Sequence, residues 1–289
     1  MRGKVCVLTG TTSGLGTIMA AALAREGATV VMLNRDLRRS RRVQRDSEVY
    51  AVSSAVHSIA CDTESPASVA AAADAVLAEH EHVDLLINNP SGFYPTRRTT
   101  ADGLEVTLRA NYLAHFELTT RLLDRLRASG PSRIVSVVGK PEFRSGLVPG
   151  TARRRESGYR ALEMNKLRLL VMTLELSRRL AKTSVTANGA FPGILKSPIL
   201  EGTPLRQRVE AHFRGLGAAH AADIVVEAAT VEDAADKSGG VFGPSGWEPA
   251  PTALNDPALG EALWRWSEVA SAPPGQPETP SLAAAAHAS

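Results

Sequence analysis

The sequence contains little cysteine and no long apolar run, and each shortage excludes a class of protein. Its two cysteines among 289 residues, Cys6 and Cys61, are widely separated and have no histidines spaced around them. A disulfide framework and a cysteine-based metal site are therefore not indicated, and both residues are expected to be reduced core thiols. No apolar stretch reaches the ~20 residues that a membrane helix needs, and no charged-then-apolar leader precedes the first strand. We expect a cytoplasmic protein that does not associate with membranes.

An excess of charge of one sign is also missing. The 33 Lys and Arg and the 30 Asp and Glu leave a formal net charge of +3, so no nucleic-acid partner is predicted. One basic cluster fits either a solvated helix face or a binding role, and its first member, Arg35, differs from the rest because it falls at a strand end. The cluster consists of Arg35, Arg38, Arg39, Arg41, Arg42 and Arg45. The segment 272–289 is rich in proline and alanine, lacks periodic apolar positions and is expected to be a disordered tail.

The start of the chain has the pattern of a dinucleotide-binding unit. An apolar strand over residues 4–8 leads into a turn with Gly10, Gly14 and Gly16, and a second apolar strand covers residues 28–33 after an alanine-rich helix. In such a turn the first glycine allows a sharp bend, the second lets the backbone approach a pyrophosphate, and the third lets the helix pack against the strand. The helix N-terminus then faces the phosphate charge.

Strands and helices continue to alternate to about residue 245 without a linker, which predicts one α/β domain. We expect a single Rossmann-fold domain over residues 1–271, with a doubly wound parallel sheet of about seven strands and helices on both faces. After the first unit, the predicted elements are helices 36–46, 66–79, 102–126 and 158–181 and strands 55–60, 83–87, 133–138 and 184–190.

Ligands of a doubly wound sheet bind beyond the carboxyl ends of its strands. Asp62 follows the third predicted strand, Asn88 follows the fourth, and Pro192 and Gly193 follow the sixth. We predict that these residues contact a bound dinucleotide, with the proline turn over its nicotinamide end. The segment 194–217 is interpreted as a mobile lid because it is rich in glycine and proline.

The end of the second strand indicates which dinucleotide is bound. An acidic residue at this place receives a ribose 2′-hydroxyl, whereas an arginine receives a 2′-phosphate. Asn34 and Arg35 occupy the strand end, and Asp36 follows one place later. The sequence therefore favours NADP(H), while Asp36 keeps NAD(H) open as the alternative.

Together these motifs resemble the short-chain dehydrogenase/reductase family over about residues 3–270. The shared residues are Thr9, Gly10, Gly14, Gly16, Cys61, Asp62, Asn88, Asn89, Gly92, Asn111, Pro192 and Gly193. The runs 109–116, 166–180 and 263–268 are most similar to the retinol-dehydrogenase-like branch. The resemblance implies an oxidoreductase with a small-molecule substrate, acting as a homodimer or homotetramer. The expected cofactor-binding residues are Gly10, Thr12, Ser13, Gly14, Leu15, Gly16, Asn34, Arg35, Asp62, Asn88, Lys166, Pro192 and Gly193.

The serine and tyrosine that are usual in the family are replaced in this chain. In the resemblance, Gly139 stands at the serine position and Leu162 at the tyrosine position, four residues before Lys166. Tyr159 lies seven residues before Lys166, a spacing similar to that of enoyl-acyl-carrier-protein reductases, whose Ser-x-x-Gly run matches residues 136–139. At ~100° per residue, seven steps return to within about 20° of the same helix face, with a rise of roughly 10.5 Å. Tyr159 and Lys166 can therefore line one groove.

The predicted catalytic residues are Tyr159, Lys166 and, by resemblance, Asn111. Lys166 would hold the nicotinamide ribose and supply positive charge. Tyr159 would stabilise or protonate an enolate oxygen that develops away from the hydride acceptor. The predicted function is NADP(H)-dependent reduction of an activated C=C bond or a ketone in a small apolar molecule.

Two alternatives stay open. The replaced serine and tyrosine permit a non-redox or catalytically retired fold, such as a cyclase, a dehydratase or a binding protein. Ordinary carbonyl reduction would need an irregular helix start at Gly158 that brings Tyr159 into place. Further candidates for substrate contact are Lys140, His115 and Arg153–Arg155.

Overall fold

A computed structural model of the protein describes residues 1–12, 14–48, 55–142, 144–149, 158–193, 217–232 and 236–272, the side chains of residues 47 and 48 excepted. Ser13 and Arg153–Arg155 lie outside the described residues. So do residues 194–216 of the predicted lid and residues 273–289 of the predicted tail.

One mostly parallel sheet forms the centre of the domain. Its strands are β1 (Val5–Thr9), β2 (Thr29–Asn34), β3 (Val56–Ala60), β4 (Leu85–Asn88), β5 (Ser132–Val137), β6 (Val185–Ala190), β7 (Gly240–Gly243) and β8 (Gly246–Pro249). They lie in the order β3-β2-β1-β4-β5-β6-β7-β8, and only the β7–β8 pair is antiparallel. This order reverses between β1 and β4, which confirms the doubly wound α/β fold. The sequence predicts about seven strands and locates six of them; β7 and β8, of four residues each, are the two that it does not locate.

The helices are α1 (Gly14–Arg25), α2 (Leu37–Glu48), α3 (Pro66–Glu79), α4 (Val106–Leu108), α5 (Ala114–Ala128), α6 (Gly158–Arg179), α7 (Ala218–Thr230) and α8 (Pro257–Ala270). A π-helical turn over Arg109–Leu113 joins α4 to α5. The helix predicted from residue 102 begins at Val106, because the Glu105 carboxylate accepts a hydrogen bond from the Leu108 amide (2.9 Å) and caps the first turn. Of the helices that the structure describes, none has the length and hydropathy needed to cross a bilayer.

Both faces of the sheet are buried. In β1, Val5 and Val7 join the core under α3, α5, α6 and α8, whereas Cys6 and Leu8 join the core under α1, α2 and α7. Alternate residues of a strand point to opposite faces, so a strand that is apolar throughout fits a sheet with helices on each side. Cys6 and Cys61 are buried and unbridged, as expected, and burial raises the pKa of the Cys61 thiol to about 12.

Helix α8 packs against α6 and the start of α5. The Trp264 ring lies edge-on to Phe116 with centroids 5.0 Å apart, and the Arg179 guanidinium lies 4.3 Å from its centroid. The hydroxyls of Tyr112 and Ser267 are 2.5 Å apart. This helix therefore completes the core on one face of the sheet. Helix α8 also covers part of α5 and α6. The family resemblance implies pairing through these two long helices, and the oligomeric state stays a prediction.

We predict that Trp264→Ala lowers the free energy of unfolding by about 3–5 kcal/mol, since it empties a buried aromatic site. Trp264 is 6% exposed. Arg265→Ala on the same helix is the matched control, because the Arg265 side chain is 73% exposed and forms a surface ion pair with Glu261. We expect it to cost about 0.5 kcal/mol or less. Urea unfolding followed by circular dichroism measures both, and equal losses would contradict the packing role of Trp264.

Candidate functional site

A cavity of about 510 Å³ opens at the carboxyl ends of β1, β2, β3 and β4. Its walls come from the β1–α1 turn, the ends of β2 and β3, and the loop after β4. Of the predicted site residues, those that line it are Gly10, Thr12, Asn34, Arg35, Asp62 and His115. The cavity includes the point between β1 and β4 where the strand order reverses, which is where a doubly wound sheet binds its ligand.

The three glycines of the β1–α1 turn meet different surroundings. Gly10 has φ +65°, and a Cβ there would lie 2.5 Å from the Asn89 carbonyl oxygen. A Cβ at Gly16 would lie 2.2 Å from the Gly10 carbonyl oxygen, so helix and turn are in direct contact. A Cβ at Gly14 would meet nothing within 4 Å. Two glycines are thus required by the fold, whereas Gly14 borders open space at the N-terminus of α1.

Asn34 holds this turn from the end of β2. Its amide nitrogen donates to the hydroxyls of Thr11 (2.6 Å) and Ser40 (2.7 Å), and its carbonyl oxygen accepts from the Thr11 backbone amide (3.0 Å). Both donor hydrogens of the side chain are therefore used inside the protein. Asn34 borders the cavity, but the role that its contacts support is to position the glycine turn.

The asparagine pair after β4 is divided between two tasks. Asn88 is fully buried and donates to the Thr119 hydroxyl on α5 (2.9 Å), so its side chain is directed at the helix layer. Asn89 lines the cavity, and its amide nitrogen donates to the carbonyls of Thr9 (3.3 Å) and Gly10 (3.2 Å). Asn88 was the predicted cofactor contact, whereas its neighbour Asn89 is the residue that ties β4 to the glycine turn.

Asn111 lies in the π-helical turn and is completely buried. Its amide nitrogen donates to the Gly92 carbonyl (2.8 Å), and its oxygen accepts from the Gly92 amide (2.9 Å). This two-point contact fixes the loop after β4 where Gly92 lines the cavity. In the described geometry, Asn111 positions the loop.

His115 lies at the inner end of the cavity. Its Nε2 is 3.1 Å from the Thr9 hydroxyl, and in the part of the chain that the structure describes its Nδ1 has no hydrogen-bond partner. Burial lowers the pKa of His115 to about 4, so the imidazole is neutral near pH 7. Its Nδ1, unpartnered among the described residues, is buried, so the structure supports a positioning contact with Thr9.

The outer end of the cavity is organised around Glu64, a residue that the sequence analysis did not select. Its carboxylate accepts from Arg35 (2.5 Å), from the Tyr94 hydroxyl (2.9 Å) and from Arg98 (2.7 Å). Although burial acts in the opposite direction, the hydrogen bonds from Tyr94 and Arg98 hold the pKa of Glu64 below its usual value. Glu64 therefore fixes the guanidinium of Arg35, which lines the cavity, and is itself also held by Arg98.

Two other carboxylates near Arg35 already accept hydrogen bonds from the protein backbone. Asp36 accepts from the backbone amides of Arg38 (2.9 Å) and Arg39 (3.1 Å) at the start of α2, and these hydrogen bonds lower its pKa. Asp62 accepts from the Glu64 amide (3.0 Å) and lies 3.9 Å from the Arg35 guanidinium. Asp36 is thus a helix cap, and Asp62 stays beside the cavity with part of its carboxylate available.

The remaining predicted cofactor contacts act through backbone or turns. Leu15 is 8% exposed and packs in the core, so only its backbone can face a ligand. Pro192 is buried directly after β6, and Gly193 turns the chain with φ +81°. Lys140, a candidate for substrate contact, forms an ion pair with Glu142.

Helix α6 brings two polar side chains, Glu163 and Lys166, to the end of β5. A Cβ at Gly139 would lie 3.1 Å from Oε2 of Glu163 and 3.5 Å from Cβ of Lys166. Burial lowers the pKa of Lys166, while the negative charge of Glu163 acts to raise it. Leu162, which takes the place of the usual tyrosine, is 4% exposed and belongs to the core. Sequence reasoning missed Glu163, since its only signal was a position one turn before Lys166.

One group outside the cavity has spacing that could suit a metal ion. In the described part of the chain, His57, Glu79 and His80 place their ligand atoms within 4.8 Å of one another. The Nε2 atoms of the two histidines are 3.1 Å apart, which one N–H···N hydrogen bond between neutral rings accounts for. The group lies at the start of β3, at the other end of that strand from the cavity.

Comparisons with known proteins agree with this geometry. The family model described as short chain dehydrogenase matches residues 4–207. Human retinol dehydrogenase 13 is 33% identical over 203 residues, 68% of this chain and 60% of that protein. Human retinol dehydrogenase 14 is 36% identical over 213 residues, 68% of this chain and 63% of that protein. The match therefore spans less than two thirds of the length of either relative.

Solved structures show the same fold. An uncharacterised protein from Mycobacterium paratuberculosis superposes with a TM-score of 0.74 and 29% identity, covering 93% of this chain and 94% of the other. The NADP complex of RhlG from Pseudomonas aeruginosa gives a TM-score of 0.65 and 21% identity, covering 84% of this chain and 95% of the other. The second likeness is one of fold alone.

The buried neutral His115 predicts an acid-sensitive contribution to stability. Unfolded histidine binds a proton below about pH 6.5, whereas His115 in the folded state does so only below about pH 4. The unfolded state binds more protons between these values, so the free energy of unfolding falls as pH drops, by about 3 kcal/mol over the window. We expect His115→Gln to remove this part of the pH dependence in urea unfolding. His82→Gln is the control, because His82 is 47% exposed; parallel curves for wild type and His115→Gln would contradict the assignment.

Proposed function

Because the chain belongs to the short-chain dehydrogenase family as a retinol-dehydrogenase-like member, we propose that it is an NADP(H)-dependent oxidoreductase that reduces an activated C=C bond or a ketone of a small apolar molecule. The observation that carries the proposal is the open space at Gly14, in a turn where Gly10 and Gly16 admit no side chain. When bound, the nicotinamide supplies or accepts a hydride.

The residues around that space fit a dinucleotide. Amide groups in the first turn of a helix have no partner within the helix and carry partial positive charge, which suits a pyrophosphate. A side chain at Gly14 would occupy the same space. Asp62 and Thr12 border the cavity on either side of the turn and can accept from or donate to ribose and adenine groups.

The charges at the end of β2 support the phosphorylated cofactor. The Arg35 guanidinium is 63% exposed at the cavity mouth, and its contact with Glu64 fixes its direction. Asp36, the residue that would favour a free ribose hydroxyl, caps α2 with its carboxylate. A planar guanidinium binds a phosphate through two hydrogen bonds at once.

Lys166 and Tyr159 supply the chemistry on the substrate side. Lys166 is half-buried at the end of β5, where an ammonium can hold a ribose hydroxyl and stabilise developing negative charge. Tyr159 stands seven residues earlier on α6, on the same helix face, and protonates or stabilises the oxygen of the reduced substrate. The similarity to proteins named for retinol, an apolar alcohol, supports an apolar substrate. A cytoplasmic location remains a prediction.

Replacing Arg35 tests the choice of cofactor. We expect Arg35→Ala to weaken NADPH binding about tenfold or more, because a charge-assisted contact to the 2′-phosphate is lost. NADH binding should change less than about twofold. Arg42→Ala is the control, since Arg42 lies on α2 with its side chain 82% exposed. Fluorescence titration with both nucleotides measures the constants, and an equal loss for NADPH and NADH would exclude a 2′-phosphate contact.

Turnover with a panel of enones and ketones tests the reaction. The purified protein should oxidise NADPH with at least one member, and Tyr159→Phe should lower kcat by about 10²–10⁴ because the proton donor is removed. Lys166→Ala should weaken nucleotide binding as well as lower kcat. Arg160→Ala, an exposed neighbour of Tyr159, should change neither.

The same panel separates the alternatives. Binding of NADPH without turnover of any enone or ketone would favour the alternative function, a non-redox or catalytically retired fold in which the usual serine and tyrosine are replaced. Turnover that survives both Tyr159→Phe and Lys166→Ala would show that other groups perform the chemistry. A protein that binds neither nucleotide would overturn the proposal.

A further inference from the structure

The space beside Gly139 is taken by a carboxylate from another element. Gly139 follows β5, and its missing Cβ would come within 3.1 Å of Oε2 and 3.6 Å of Cδ of Glu163 on α6. The Lys166 side chain borders the same space with its Cβ, at 3.5 Å. The polar atom nearest to the missing Cβ of Gly139 is therefore the Glu163 carboxylate oxygen.

This carboxylate is not used to hold the fold together. In the residues that the structure describes, Glu163 makes no hydrogen bond or ion pair, although it is only partly exposed. The other half-buried carboxylate of the site, Glu64, has three donors around it. A partly buried carboxylate without donors favours a partner that supplies one.

Glu163 stands between the two residues of the proposed reaction. Tyr159, Glu163 and Lys166 occupy positions i, i+4 and i+7 of α6, so they share one helix face. The ammonium of Lys166 acts on Glu163 as a nearby positive charge, which is visible in the opposing effect of Glu163 on the pKa of Lys166.

We propose that Glu163 selects the substrate: it binds a hydrogen-bond donor, a hydroxyl or an ammonium group, on the carbon next to the carbonyl that is reduced. The proposal rests on the proposed function of the site. An ionised carboxylate accepts hydrogen bonds and donates none, so a carbonyl oxygen placed beside Gly139 would face a second acceptor. The reacting oxygen is then directed along the helix face towards Tyr159 at the start of α6, where Gly158 has φ +58° and departs from regular helix geometry, and the neighbouring donor group lies at Glu163.

The substrate class that follows is an α-hydroxyketone or an α-aminoketone with an otherwise apolar body. Glu163 does not transfer the proton of the reaction in this arrangement, and Tyr159 keeps that task. Its contribution is recognition: a buried charged acceptor that is left without its donor costs binding energy, so an analogue that lacks the donor is rejected.

Paired probes test this selectivity directly. Acetoin and its methyl ether, and benzoin and its methyl ether, differ only in the presence of the donor. We expect wild type to prefer the hydroxyl member of each pair by about tenfold or more in kcat/KM, which corresponds to one charge-assisted hydrogen bond. Glu163→Gln, which keeps the size and removes the charge, should reduce the preference to about twofold or less. The dissociation constant for NADPH should stay unchanged.

A second variant guards against misfolding of the first. The second variant combines Gly139→Ser with Glu163→Ala. The Cβ of the introduced serine takes the space that the Glu163 carboxylate leaves. Its hydroxyl, which can donate a hydrogen bond, replaces a carboxylate that can only accept one. We expect this variant to lose the preference for the hydroxyl member. Glu248→Gln, an exposed acidic residue on β8, is the matched charge control.

A readout that needs no nucleotide tests the position of the carboxylate. Because Glu163 raises the pKa of Lys166 against the effect of burial, Glu163→Gln should lower that pKa further. The pH dependence of Lys166 acylation, followed by peptide mass spectrometry, measures it. An unchanged profile would place Glu163 away from Lys166 and overturn the inference.

The outcomes separate the two proposals. Wild type that turns over ketones with NADPH but treats both members of each pair alike overturns the role of Glu163 and leaves the proposed function standing. Wild type that binds NADPH and turns over no member of this or the wider panel overturns the proposed function, and the inference with it.

Discussion

Two buried amides hold the candidate site in shape. Asn34 at the end of β2 and Asn89 after β4 both bond to the turn that contains Gly10. Gly10 has φ +65° and touches the Asn89 carbonyl, so the turn is stable only while the ends of these strands stay in register. Two further parts of the site adjoin this junction, because α1 begins there and the Gly92 loop follows Asn89.

Most of the fold could be predicted, because its signals are local. The strand–turn–helix pattern at Gly10, Gly14 and Gly16 and the apolar strands on both sides depend on residues close together in the chain. The structure differs from the prediction where one side chain sets the end of an element, or where an element depends on pairing with a neighbour. Glu105 caps α4 and delays its start, and β8 is held by its pairing with β7, which no local pattern carries.

The site was less predictable, because its carboxylates obtain their roles from distant partners. Glu64 receives hydrogen bonds from Arg35 and Arg98, which lie 29 and 34 residues away. In the sequence, Glu64 is only an acidic residue that precedes a helix, and Glu163 is only an acidic residue within a helix, so neither has a local signal of its role. The predicted residues Asn34, Asn88 and Asn111 were identified as important positions, but their contacts are with Thr11, Thr119 and Gly92. Sequence alone does not tell a binding amide from a positioning one.

The number of donors around a carboxylate distinguishes the two ends of the site. At the cavity mouth, Glu64 is surrounded by two guanidinium groups and a phenol, so its charge serves to direct cations, and those cations are what a phosphate would meet. Beside Gly139, Glu163 has the half-buried Lys166 on the same helix face and, among the described residues, no hydrogen-bond donor in contact. The same side chain is therefore a structural anchor in one place and an acceptor available to a ligand in the other. Because a half-buried charge without a donor is costly, the proposed role of Glu163 is the one in which the substrate supplies that donor.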